Sequence, residues 1–192
     1  PTGITYTDEV ARRLATMNAA PDFRIFWDNA YAEHHLTDER QAVPDILQAC
    51  RDAGHPDRVL MFTSTSKMTM AGAGVSAMAA SPDNINDARR HLSIQTIGPD
   101  KLNQLRHLNF FKNIEGLRAH MGRIGEILKP KFDLVNELLE RNLGGKGIAT
   151  WSQPKGGYFV NVNAPDDCAR TIIDMAEKAG VKLTPAGAPF AY

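Results

Sequence analysis

The sequence predicts an α/β protein with a smaller α+β unit after it. Three observations carry that reading. Over residues 1–143, short apolar stretches of strand length alternate with longer stretches of helical periodicity. The run Gly144-Gly145-Lys146-Gly147 then breaks the chain. Over residues 144–192 the pattern reads strand, turn, strand, helix, strand.

Composition narrows the class. A chain of 192 residues, 43% of them hydrophobic, can bury a substantial core in one large or two small domains. Lys+Arg and Asp+Glu both number 22, so no bulk charge points to a nucleic-acid or membrane surface. Cys50 and Cys168 are isolated and match neither disulfide-framework nor metal-ligand spacing, which suits a reducing cytoplasm. No apolar run is long enough to span a bilayer, and no signal peptide is visible. Turn signals at both extremities, Pro1-Thr2-Gly3 and Ala188-Pro189-Phe190, lead us to expect part of a longer polypeptide.

Taken in order, Thr7 caps a first helix with Asp8 and Glu9 in its opening turn and Val10, Leu14 and Met17 near helical spacing. Pro21 ends it, and Phe23 to Trp27 forms a strand that delivers Asp28 and Tyr31 into the following loop. His34 and His35 come next. Adjacent residues on a strand face opposite ways, so hydrogen bonding, structural or toward a substrate, is preferred over metal ligation. A helix over Asp45 to Ala53 leads through Gly54-His55-Pro56-Asp57 into the strand Val59 to Phe62. Val75 to Ala80 is another short strand, closed by Ser81-Pro82. Helices follow over Asp83 to Leu92, Pro99 to Leu108 and Glu115 to Asn142. The last is amphipathic, with Arg118, Arg123, Lys129 and Lys131 on its solvated face, and Pro130 is expected to kink or divide it. Beyond the glycine break we expect strands at Ile148 to Trp151 and Tyr158 to Val162, around the turn Pro154-Lys155-Gly156-Gly157. A helix over Pro165 to Ala179 and a strand Val181 to Thr184 complete the pattern.

The chemistry concentrates in Val59-Leu60-Met61-Phe62-Thr63-Ser64-Thr65-Ser66-Lys67 and the small residues after it. An apolar strand ends in four hydroxyl residues and one lysine. A lysine held in apolar surroundings loses ammonium solvation, which makes its neutral, nucleophilic form accessible for Schiff-base chemistry. A solvated lysine on a Ser/Thr-rich loop is the alternative.

With Asp28 and Tyr31 at the end of a nearby strand, this run resembles the cofactor site of the fold-type I pyridoxal-phosphate enzymes, the aspartate aminotransferase superfamily. Five stretches carry the resemblance in order: Pro1-Thr2-Gly3, Trp27-Asp28-Asn29-Ala30-Tyr31, Ser64-Thr65-Ser66-Lys67, Pro154-Lys155-Gly156-Gly157-Tyr158-Phe159, and Thr184-Pro185-Ala186-Gly187-Ala188-Pro189-Phe190. The run Ser64 to Val75 is most similar to a divergent bacterial, including actinobacterial, branch. The resemblance implies part of a large domain with a mixed, mainly parallel sheet flanked by helices, then a small C-terminal α+β domain. It implies pyridoxal 5′-phosphate as cofactor and Lys67 as the Schiff-base lysine and proton carrier. By the same resemblance Asp28 faces the ring nitrogen, Tyr31 the 3-oxygen, and Ser64 and Ser66 the phosphate. It further implies amino transfer from aspartate or a similar amino acid to 2-oxoglutarate by a ping-pong mechanism, small amino-acid and 2-oxo-acid partners, and a homodimer.

Two departures stand out. The family's phosphate-pairing arginine lies eight residues beyond the lysine, and that position here is Val75. The family's substrate-carboxylate arginine and glycine-rich phosphate loop fall outside these residues. Two other readings fit the same motifs: a carbon–sulfur lyase, and the cofactor-sensing half of a MocR-type regulator.

Overall fold

The computed structural model describes residues 3–188, which divide into two compact units. The larger holds Thr5–Lys129 together with Lys155–Gly157. Of the motifs above, Pro1, Thr2, Pro189 and Phe190 lie outside the described residues.

In the larger unit, α1 spans Asp8–Thr16, and the Thr7 side chain accepts from the Val10 N–H at 3.3 Å, the expected cap. Strand β1 (Ile25–Asp28) runs parallel to β2 (Val59–Ser64), with Ile25 opposite Val59 and Asp28 opposite Phe62. The crossover between them contains α2 (Ile46–Asp52), capped by Asp45, and a single 3-10 turn at Pro56–Arg58. Strand β3 (Ser76–Ala80) returns antiparallel to β2, so the sheet is mixed, in the order β1-β2-β3.

Side chains alternate across a strand, so each strand shows one face to α1 and α2 and the other away from them. Trp27 and Val59 are buried with Ala11, Ala15, Ile46 and Cys50, and Ile25 and Met61 pack against that cluster. Arg58, also buried, donates to the carbonyl oxygens of Ala15 at 2.7 Å and Met17 at 2.9 Å. It thereby satisfies the orphan carbonyls at the end of α1. On the opposite sheet face, Phe26 stacks on Phe62 with ring centroids 5.6 Å apart yet stays 72% exposed.

Three helices follow: α3 (Pro82–Gln95, capped by Ser81), α4 (Lys101–Phe111, capped by Asp100) and α5 (Ile114–Leu143). Met68, Phe111 and Met121 form a second buried cluster, with Leu117 and Ile124 against it. Of the two outcomes expected at Pro130, a kink or a division of the long helix, the division does not occur. A proline there removes one N–H from the helical ladder, but α5 passes through it as one element.

The smaller unit comprises Gly3 and Ile4, Pro130–Pro154 and the residues from Tyr158 on. Its strands are shorter than expected. The two-stranded antiparallel pair is only β4 (Thr150–Trp151) and β5 (Val162–Asn163), and α6 spans Ala169–Lys178. The strand expected at Val181 to Thr184 does not form. Val181 and Leu183 are 53% and 42% exposed, with no strand beside them among the described residues to pair their backbone.

Candidate active site

Because β1 and β2 are parallel, their carboxyl ends lie on the same edge of the sheet, and antiparallel β3 starts there, Ser76 opposite Ser64. The turn carrying Lys67 is therefore the β2–β3 connection, beside the end of β1. Asn29 donates its N–H to the Phe62 carbonyl at 2.7 Å, and the Thr63 hydroxyl donates to the Asn29 carbonyl at 3.3 Å. The strand alternation puts Asp28, Phe62 and Ser64 on one face, the face away from α1 and α2. Asp28 Oδ1 accepts from the Ala30 N–H at 3.1 Å, so it also fixes its own turn. Burial raises the Tyr31 phenol above its ordinary value, and the Asp28 charge raises it further. The Ser64 and Ser66 hydroxyl oxygens are 2.7 Å apart. All five expected residues thus belong to one sheet edge.

The Lys67 turn is closed on itself and held from three sides. Thr65 N–H donates to the Val75 carbonyl at 2.9 Å, and Val75 N–H donates to the Thr65 hydroxyl at 2.9 Å. Gly74 lies so close that a Cβ there would sit 2.9 Å from the Ser66 N, Cα and Cβ. His34, on the loop after β1, donates from Nε2 to the Lys67 carbonyl at 3.3 Å, and its ring stands edge-on to Tyr31 at 5.2 Å. The next residues of that loop are pinned by the Pro-Lys-Gly-Gly turn. Gly157 N–H donates to the His34 carbonyl at 2.8 Å, and a side chain at Gly156 would strike that oxygen. His120 of α5 donates from Nε2 to the Met68 carbonyl at 2.8 Å. From α4, His107 Nε2 meets the hydroxyls of Thr65 at 2.8 Å and Thr69 at 3.2 Å.

Sequence reasoning named His34 as a hydrogen-bonding residue but missed His107 and His120. Their contacts span 42 and 52 residues, and no local pattern signals them. One expectation needs correction: Lys67 is not in apolar surroundings. Lys67, Ser66 and Asp28 are exposed, while only Met68 of the turn enters the buried cluster. The sheet face bearing Asp28 carries no helix among the described residues, as the exposed Phe26 also shows. A cavity of about 460 Å³ between the loop after β1 and α5, lined by Glu33, Arg40 and Arg118 among others, includes none of the five.

This arrangement places the chain among α/β proteins that gather reactive groups at the carboxyl edge of a partly parallel sheet. A family model described as Aspartate amino-transferase matches residues 1–192, and the chain belongs to that family. A candidate aminotransferase of Mycolicibacterium smegmatis is 51% identical over 100% of this chain and 45% of its own length. The aspartate aminotransferase of Corynebacterium glutamicum is 47% identical over 99% of this chain and 44% of its own. A crystal structure of an aspartate transaminase from Corynebacterium glutamicum superimposes with a TM-score of 0.93 at 46% identity, covering 99% of this chain and 45% of that one. The chain thus spans a little under half the length of the relatives it matches.

The family implies pyridoxal 5′-phosphate, and the donor set here fits it. A primary amine, a carboxylate, a phenol and a hydroxyl pair share one edge, and each suits one part of a flat, phosphorylated pyridine aldehyde. No guanidinium stands where the family places one. Val75 is there, its N–H and carbonyl both engaged by Thr65.

Proposed function

We propose that this chain carries the lysine-bearing part of a pyridoxal 5′-phosphate-dependent aminotransferase. The single observation that supports it is the parallel β1–β2 register, which sets Asp28 and Tyr31 beside the Ser64–Lys67 turn. Lys67 would anchor the cofactor, Asp28 would face its ring nitrogen, Tyr31 its ring oxygen, and Ser64 and Ser66 its phosphate. When bound, the cofactor supplies an electron sink for the pair released at a substrate's α-carbon. The Asp28 carboxylate would hold a proton on the ring nitrogen. Lys67 Nζ would take the α-proton and return it, acting as base and then acid. The two serine hydroxyls would take up the phosphate role that Val75 cannot fill.

The substrates of this reading are aspartate or a similar amino acid as donor and 2-oxoglutarate as acceptor, used in two half-reactions at one site. It also includes a homodimer in the cytoplasm. Among the described residues, no helix is long and apolar enough to cross a membrane.

The test is reductive trapping. The natural-length protein, mixed with pyridoxal 5′-phosphate and treated with borohydride, should carry the label on the peptide containing Lys67. Lys67→Ala should lose the label and amino transfer to 2-oxoglutarate while keeping its unfolding midpoint, because the residue is exposed. A label on another lysine, or none, overturns the proposal. Elimination without an acceptor would keep the site and replace the reaction by that of a lyase.

A further inference from the structure

Of the six histidines in the chain, three address the short turn that bears Lys67. They come from three separate elements: the loop after β1, α4 and α5. Helix α4 is the most telling. Along Lys101–Phe111, only Asn103, His107 and Phe111 are not exposed, and these lie four residues apart on one face. All three meet the turn or its anchor. Asn103 Nδ2 donates to the Ala73 carbonyl at 2.8 Å and the Gly74 carbonyl at 3.2 Å. His107 meets Thr65 and Thr69, and Phe111 packs in the cluster with Met68. Leu102, Leu105 and Leu108 of the same helix stay outside that face, 50–70% exposed.

The hydrogen bonds form a chain. The Asn103 carbonyl can only accept, so His107 Nδ1 donates to it, at 2.8 Å. His107 Nε2 meets the Thr65 hydroxyl at 2.8 Å, and that hydroxyl also donates toward the Val75 carbonyl at 3.4 Å. The Thr65 oxygen in turn accepts from the Val75 N–H. Both limbs of the connection, Thr65 on one side and Ala73 to Val75 on the other, are thereby tied to a single helix face.

We propose that His107, through Thr65, is a positioning residue for the Lys67 amine, with His120 and His34 holding the adjoining backbone. The inference rests on Lys67 being the reactive amine. An exposed lysine on a hydroxyl-rich turn has no burial to orient it. The backbone from which it projects must then be fixed by polar ties, and His34, His107 and His120 supply three of them.

The experiment uses the natural-length protein as wild type, His107→Leu, His107→Gln and Thr65→Val, with the exposed His55→Gln as control. In cofactor-free protein, His107→Leu should lower amide-exchange protection at Met68, Thr69 and Val75 by about tenfold, equivalent to about 1.4 kcal/mol, and leave β1 and α1 unchanged. The rate of borohydride trapping of pyridoxal 5′-phosphate on Lys67 should fall at least about fivefold in the same variant, a loss of the order expected for one hydrogen bond. His107→Gln, whose amide can donate to or accept from the Thr65 hydroxyl, should restore both. Thr65→Val keeps the side-chain shape and should reproduce the leucine effect even where His107→Leu fails to fold. Lost protection with unchanged trapping means a purely structural tie and overturns the inference. So does trapping that is equal in all variants. No trapping on Lys67 in the wild type overturns the proposed function as well, which separates the two failures.

Discussion

His34 Nε2 donates to the carbonyl oxygen of Lys67 at 3.3 Å from an imidazole that is only 4% exposed. Burial pushes this histidine below its ordinary pKa. The hydrogen bonds to the Lys67 and Tyr31 backbone and the charge of Glu33 oppose that push, while His35 adds to it. The folded chain therefore binds fewer protons here than the unfolded chain, and stability rises with pH. The contribution is fully present above the ordinary histidine value of about 6.5 and is lost as pH falls through the depressed one. His34→Gln should flatten the fall of the unfolding midpoint as pH drops below the ordinary histidine value of about 6.5. An equally steep dependence in the variant would show that other groups carry it.

Asp28→Asn should lower the Tyr31 pKa, since the carboxylate charge opposes formation of the phenolate. The drop should be partial, because burial is the larger cause and survives the substitution. A phenolate absorbance titration, with Tyr31→Phe to identify the band, reads it directly. No change would mean that the charge of Asp28 does not reach the phenol.

Gly74→Ala should disturb the hydroxyl pair without touching it chemically. The new Cβ would lie 2.9 Å from backbone atoms of Ser66, and no rotamer can relieve a backbone clash. A loss of about 1–3 kcal/mol in stability is expected for such overpacking, with weaker retention of pyridoxal 5′-phosphate. Denaturant unfolding and gel filtration of the cofactor-loaded protein would measure the two. Full stability together with full retention would refute the close approach.

Arg58→Ala should cost about 2–3 kcal/mol, because charge-assisted bonds to the final carbonyls of α1 disappear. Urea unfolding monitored by Trp27, which lies in the same core, reports it. A change below about 0.5 kcal/mol, typical of surface positions, would contradict the assigned tie.

Much of the larger unit was legible because its signals are local. Thr7, Asp45 and Ser81 sit where helices begin, and the apolar runs ending at Trp27 and Phe62 do form paired strands. Asp28 and Ser64 end their strands, and Tyr31, Ser66 and Lys67 follow within three residues, so their common sheet edge also reflects local signals. What was not readable depends on partners far along the chain. Val181 to Thr184 has strand-like residues but no neighbour to pair with among the described residues. Arg58 looks like a turn residue until α1 docks on it. His107 and His120 give no periodic signal of their own, because each is defined by the backbone it reaches. The exposure of Lys67 was equally hidden: an apolar strand says nothing about whether the turn after it is covered.

The β2–β3 connection precedes α4 and α5 in the chain. As the polypeptide leaves the ribosome, the Lys67 turn emerges before the helices whose imidazoles reach it. Until they arrive, the hairpin bearing Lys67 has the His34 tie and its own Thr65–Val75 bonds but lacks those from His107 and His120. If Lys67 has the role proposed above, its full positioning is a late product of translation, and a nascent chain halted before residue 107 should trap the aldehyde more slowly than the finished chain.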